Sequence, residues 1–494
     1  MKTIFKFIGG FLLTCFVLIV VAVMVINTDY VQNKALQYYT AKLSNKLKTK
    51  VEAERISINF FKLTLDLHEV EAVIKGKKSD NTFHVKAMHI RGGRVELEGL
   101  RLITDNHKPR KNEGKPKRGW FDAGHLDVTA NLKLKVNYLD QDTINISITK
   151  GNAVDSISGF YINDLRMHVA SDLKKLYVKD AVIQQGNTVI QIPGVEMQIP
   201  SKKKGIGLDY HTTEPLTAYV ILQDISRLFT PALAEFTMPL KLSADVSGTD
   251  STMVFNNILV TNEDEMLKIT ASGGIDHLKN KYLLNINFHV DEMIAKSGIK
   301  HRIIEQFPVK KFMMESLSNL GDISYTGDFS ILRKREVFSG RIGTGVGNID
   351  LANLTLNDST KYLSGTVSTK RLDLGKALNT ADLGNIIANA SFEFDYSKER
   401  TAEMRKQLGG KLPIGNLAAK VDEASYKKVM FRNVTLTLES NGAVADGQVI
   451  VSNRLLDSKF NFTFTDTNEM QKMKVKPGIK IKNPLTKLFS KKKK

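Results

Sequence analysis

VEAERISINFFKLTLDLHEVEAV, residues 51–73, is the stretch that decides the fold. Ile56, Ile58 and Phe60 alternate with Ser57 and Asn59, and Leu63, Leu65 and Leu67 alternate with Thr64 and Asp66. Side chains on a strand point to opposite faces in turn, so this period of two predicts a strand with one apolar and one polar face. The pattern returns along most of the chain. Leu132, Leu134 and Val136 alternate with Lys133 and Lys135, and Leu284, Ile286, Phe288 and Val290 with Asn285, Asn287 and His289. Phe392 and Phe394 repeat it, as do Phe460, Phe462 and Phe464. Turn-like pairs at Gly92-Gly93, Asn441-Gly442 and Asp446-Gly447 are expected to separate the strands. The glycines of Gly343 to Gly347 read as a bend or bulge within a strand.

Upstream of this stretch the period changes. Between Tyr30 and Lys50, Val31, Ala35, Tyr38, Tyr39, Leu43 and Leu47 recur at three- and four-residue steps, predicting an amphipathic helix over 28–50. Before it, Phe7 to Ile26 carries no charge and is about the length that crosses a bilayer core. Lys2 and Lys6 precede it, so residues 1–6 are expected in the cytoplasm, 7–27 as a transmembrane signal anchor, and the rest across the membrane. A cleaved signal peptide fits less well, because the apolar run is too long and no small-x-small site follows it.

Helices are expected to be few and short. A weak repeat of strand, acidic residue and brief helix reads ILQDISRLF at 221–229, HVDEMIAKSG at 289–298 and KRLDLGKAL at 370–378. In each, an aspartate (Asp224, Asp291, Asp373) is placed to cap the helix. Residues 401–410 read as a charged helical patch, and 106–118 as an exposed basic loop. Beyond Asp466 the strand pattern is lost and 467–494 reads as a flexible basic tail, so the β domain is expected over 51–466.

The net charge is +19, and about half of it lies in that tail. Lys491, Lys492, Lys493 and Lys494 are candidates for contact with anionic lipid, each basic residue near such a surface contributing about 1 kcal/mol. A merely solvated tail is the competing reading. Nucleic acid is not an expected partner, since the basic tracts lack interleaved aromatics.

Cys15 is the single cysteine and lies in the apolar segment, which excludes disulfides and thiolate chemistry from the remainder. The ten histidines are scattered, and His84 and His89, five apart on a strand, are expected on opposite faces. No HExxH, Walker A, GxSxG or paired-cysteine spacing occurs. Neither catalysis nor a cofactor or metal is expected.

A dozen or more one-sided strands must cover their apolar faces. Two sheets could cover each other as a sandwich, or an elongated, curled antiparallel sheet could leave its apolar face lining a groove with a few short helices as partial lids. A lipid-facing barrel is disfavoured by irregular strands and a single tryptophan. In the groove arrangement the candidate lining residues are Leu132, Leu134, Val136, Leu284, Ile286, Phe288, Val290, Phe392, Phe394, Phe460, Phe462 and Phe464.

The opening resembles that of the AsmA-like and TamB-like envelope proteins. The resemblance is carried by the apolar segment, by VQNKALQYYTAKLSNKLKTKV at 31–51 and by RISINFFKLTLDLHEVEA at 55–72. ASGGIDHLKNKYLLNINFHVDEMI at 271–294 and SGTVSTKRLDLGKALN at 364–379 resemble the repeat those proteins use. It implies a mostly β, repeating β-groove domain in the periplasm, held by a single span in the bacterial inner membrane. It also implies a role in phospholipid transport between inner and outer membranes and in outer-membrane biogenesis. The alternative is an assembly factor whose exposed β-edges engage an outer-membrane or envelope protein. These motifs are architectural, so the resemblance carries over no catalytic residue.

Overall fold

The computed structural model describes residues 34, 36–38 and 41, and residues 50–481 apart from 60–61, 76–78, 107–124, 141–142, 173, 201–205, 227–233, 279–282, 306–317, 333–334, 358, 411, 453–455 and 467–470. The expected cytoplasmic segment 1–6, the anchor at 7–27, the loop at 107–118 and Lys491 to Lys494 lie outside these residues. Among the described residues no helix is long and apolar enough to cross a membrane. Of the expected helix over 28–50, the five described positions up to 41 are helical and Lys50 is already in a strand. Leu36, outside the apolar stripe read from the sequence, is buried there, whereas Tyr38, assigned to that stripe, is exposed.

The chain is mostly β, with 26 strands and a few short helices among the described residues, the strands pairing antiparallel within each unit. It divides into two units, Met1–Pro239 and Leu240–Lys494. The first unit contains β1 (Lys50–Asn59), β2 (Thr64–Lys75), β3 (Ser79–Arg91), β4 (Arg94–Asn106), β5 (His125–Leu139), β6 (Ile144–Asp155), β7 (Tyr161–Ile162), β8 (Asp164–Ser171), β9 (Lys175–Gln185), β10 (Thr188–Gln198), β11 (Asp209–Thr212) and β12 (Leu216–Ile221). The second begins with β13 (Pro239–Thr249), β14 (Thr252–Asn262), β15 (Leu267–Asp276), β16 (Asn285–Ala295), β17 (Ile323–Leu332), β18 (Arg335–Thr344) and β19 (Gly347–Asn357). It continues with β20 (Tyr362–Asp373), β21 (Leu383–Asp395), β22 (Ile414–Tyr426), β23 (Val429–Asn441), β24 (Val444–Ser452), β25 (Leu456–Asp466) and β26 (Gln471–Ile481). In the second unit each strand pairs with the next in sequence, from β13 to β26.

The last strand corrects the expectation of a flexible tail from 467. Met473, Val475, Ile479 and Ile481 alternate with Lys472, Lys474, Lys476 and Lys480, so period two persists beneath the lysines. Pairing with β25 places Val475 opposite Phe462, and Lys474 opposite Thr463.

Bulges interrupt the ladders. Between β14 and β15 the register slips across Asn256 and Asn257, and between β19 and β20 across Asn353. Asn257 (φ 51°) and Asn353 (φ 52°) are left-handed, a conformation asparagine tolerates better than most residues. Each bulge bends its strand and increases the local twist. Glycines act elsewhere as predicted at Gly92-Gly93 and Asn441-Gly442, which turn β3 into β4 and β23 into β24. Gly345 lies in the β18–β19 hairpin turn rather than in a strand bend, and Asp446-Gly447 lies inside β24 rather than in a turn.

Short helices among the described residues include α1 (Leu222–Ile225), α2 (Ser297–Glu305), α3 (Leu374–Ala377) and α4 (Lys398–Leu408). Of the three aspartates expected as caps, Asp373 fills the role, accepting from the Lys376 amide at 3.0 Å. Asp224 already lies within α1 and accepts instead from Asn187 and Thr188 in the β9–β10 turn, at 2.9 and 3.0 Å. Asp291 is in β16, and the start of α2 is held by Asp322, which accepts from the Ser297 amide and hydroxyl. Lys300 of α2 is buried, its Nζ donating to the Gly321 and Ser318 carbonyls at 2.7 and 3.2 Å; burial lowers its pKa.

Candidate functional site

Residues opposite each other in an antiparallel ladder share a face, so the register assembles the candidate residues into rows. In the second unit, Ile258 pairs with Ala271, Ala271 with Val290, Val290 with Gly327, Gly327 with Gly340 and Gly340 with Leu351. The same row continues through Val367, Ala390, Ala419, Leu436, Val449 and Phe460 to Pro477. From β14 to β26 it contains no polar side chain. A second row on the same face joins Phe255, Gly273, Phe288, Phe329, Phe338 and Leu354. Further along, Phe392, Leu417, Leu438, Gly447 and Phe462 form a third run.

Ile286, Phe288, Val290, Phe392, Phe394, Phe460, Phe462 and Phe464 therefore come together on one face of one unit. Leu284 precedes β16 and is half-buried. Leu132, Leu134 and Val136 belong to the other unit, where they face Leu97, Val95 and Ile146 from neighbouring strands. Every one of the twelve is half-buried. A closed sandwich core would bury these phenylalanines; among the described residues of this unit, burial of larger apolar side chains is found instead at Leu267 and Ile299, where α2 follows β16.

Several members of the face were not singled out from sequence. Phe329 and Phe338 stack with centroids 4.7 Å apart, and Phe255 and Phe288 approach to 6.0 Å. Tyr325 lies beside the opposed glycines Gly327 and Gly340, and its hydroxyl donates to the Ser339 carbonyl at 3.0 Å. The signal was present: Tyr325, Gly327, Phe329 and Ile331 alternate with polar residues, but the glycine masks the alternation.

The opposite face is polar and is held together by cross-strand pairs. His289 meets Asp328 at 2.7 Å, Arg341 meets Asp350 at 2.6 Å, and Thr463 donates to Asp446 at 2.6 Å. The hydrogen bond that His289 donates to the Asp328 carboxylate raises the pKa of His289. At the end of β21, Arg400 of α4 forks onto Asp395 at 2.6 and 3.0 Å, and this pairing lowers the pKa of the buried carboxyl.

His84 and His89 correct another expectation. His89 faces Glu96 and through it Lys133, while His84 faces Arg101 and through it Thr129. Thr129 and Lys133 lie on one face of β5, so both histidines share the polar face. The register of β4 against β5 slips between Leu97 and Leu100, and the bulge reverses the side-chain parity of the intervening residues. Among the described residues no cluster of three or more His, Cys, Asp or Glu is placed to hold a metal ion.

This arrangement can solvate long apolar groups along one face while the other stays in water. Neither a protein-family model nor a curated protein matches the chain.

Proposed function

We propose that this is a membrane-tethered lipid-handling protein whose apolar sheet face lines a groove for acyl chains. It is not an enzyme on this reading. The carrying observation is the unbroken apolar row from Ile258 to Pro477, most of it half-buried, with Ala271 and Gly327 buried and Pro477 exposed, and with hydrogen-bonded polar residues on the reverse. Each methylene taken from water onto such a face contributes about 0.8 kcal/mol, without any directional contact to specify its position. A surface of this kind suits movement along the sheet better than capture at one point. The resemblance to AsmA-like and TamB-like proteins supports reading this activity as one of the bacterial envelope, between an inner-membrane anchor and the outer membrane, with phospholipid as cargo.

The test is native mass spectrometry with lipid extraction on the full chain purified in a mild detergent. Copurified phospholipid, lost in Phe288→Asp but kept in Asn287→Asp on the opposite face, supports the reading. A folded protein that carries no lipid, or one indifferent to Phe288→Asp, sinks it.

One observation favours a second reading. Met473 and Val475 of β26 are 61% and 50% exposed beside the last described ladder. A strand in that position can template a client strand by main-chain pairing. Proline at Val475 would then abolish client capture while leaving lipid content unchanged.

A further inference from the structure

The polar face of the first unit contains an uncompensated row of cations. Thr64 pairs with Arg91, Arg91 with Arg94, and Arg94 with Lys135. Three consecutive register partners are thus basic, with Cβ atoms about 5 Å apart, and like charges directly opposite are destabilising. The adjacent row is arranged differently: Asp66, His89, Glu96 and Lys133 alternate in sign across the same strands. His89 meets Asp66 at 2.6 Å, and Lys133 pairs with Glu96. Arg91, Arg94 and Lys135 form no ion pair among the described residues.

These side chains surround a cavity of about 740 Å³, whose walls also include Gly92, Val95 and Thr149. Arg91 and Arg94 flank the Gly92-Gly93 turn, and Lys135 is held beside it because the Val136 amide donates to the Gly93 carbonyl at 2.7 Å. The Glu96 carboxyl on the cavity wall is held below its ordinary pKa by Lys133 first, and by His89 and Arg91 as well. That wall is therefore electropositive even after its one acidic member is counted.

We propose that the Arg91–Arg94–Lys135 cavity is a binding site for a phosphoryl group. Two guanidinium forks match tetrahedral phosphate oxygens bidentately, and the ammonium adds a third donor. A bound phosphoryl group converts mutual repulsion into three charge-assisted contacts, which explains why the row can persist unpaired. The group arrives either as a free phosphate or as the headgroup of an anionic phospholipid at the hairpin rim. The three cations lie on the polar face, although Val95 and Leu134 of the opposite face also line the cavity, and the site does not rest on the acyl-chain reading of the apolar one.

The test uses the full chain in a nonionic detergent, titrated calorimetrically with inorganic phosphate and, separately, with a short-chain phosphatidylglycerol below its micellar concentration. Saturable binding of either probe, weakened at least tenfold by Arg94→Gln and by Lys135→Gln but not by Lys459→Gln in β25, supports the site. Preference for phosphate or for the lipid identifies the source. A thermal midpoint that rises with the preferred probe in the parent and stays fixed in an R91Q/R94Q/K135Q variant gives a second reading. That triple variant is expected to fold, since it removes repulsion. Absence of saturable binding by both probes, or equal weakening by Lys459→Gln, overturns the proposal.

Discussion

Gly273 and Phe288 face each other across β15 and β16 so closely that a Cβ at 273 would stand 2.5 Å from the Phe288 Cδ1. Phe255 flanks the glycine from the other side, and the two rings meet over it. Glycine here provides room both for the ring and for the close approach of the β16 backbone, whose Asn287 carbonyl oxygen would stand 2.3 Å from that Cβ. The same relation recurs where Phe462 lies over Gly447 of β24, which explains a glycine in mid-strand where a turn was expected.

Gly273→Ala is accordingly expected to destabilise the second unit by about 1–3 kcal/mol through overpacking. In urea melts, Phe288→Ala in the Gly273→Ala background should cost less than in the parent, because the two residues share the same space. Strict additivity would show that the ring does not need the glycine.

Substitutions on the two faces of one strand should separate function from stability. Phe288→Asp is expected to empty the protein of lipid with an unchanged far-ultraviolet circular dichroism spectrum, and Asn287→Asp to leave both unchanged. If the two variants lose lipid equally, the apolar face is not the carrier.

Arg400 holds Asp395 in a forked ion pair with a depressed carboxyl pKa. For a depressed acid the stabilisation is complete above the unfolded-state value of about 3.9 and fades as pH falls through the lower folded-state value. Arg400→Gln should therefore cost stability at neutral pH, and this cost should shrink below pH ~4. Chemical denaturation of parent and variant at a series of pH values measures it; a penalty independent of pH would assign the loss to packing.

His289 has the opposite sign. Its pKa is raised by Asp328, so any contribution to stability is present below the unfolded-state value of about 6.5 and is lost as pH rises through the higher folded-state value. Asp328→Asn is expected to lower the His289 midpoint in an NMR titration. An unmoved midpoint would transfer the effect to Asp291, 3.8 Å away.

Strand content was legible because alternation is local: Ile286, Phe288 and Val290, or Phe460, Phe462 and Phe464, announce their faces without reference to any partner. The failures have specific causes. Lysines at 472, 474 and 476 made β26 look like a solvated tail, although on a strand they occupy only its polar side. The bulge in β4 reversed the parity that separates His84 from His89, and no propensity in Glu98-Gly99 states which neighbour it slips against. Asp224 satisfied a turn between two other strands, a contact 36 residues distant in sequence that outweighed local capping.

Period-two spacing thus establishes that these are amphipathic antiparallel strands, since one face of each must leave water wherever it finds cover. Which faces join is a matter of register, set by hairpins and bulges whose cross-strand partners lie far apart in the chain. Only paired strands bring Val290, Gly340 and Phe460 into one apolar row, or Arg91, Arg94 and Lys135 into one cationic row. Charge and hydrophobicity belong to single residues; a surface on which they accumulate exists only once the ladder hydrogen bonds have fixed the strands about 4.8 Å apart.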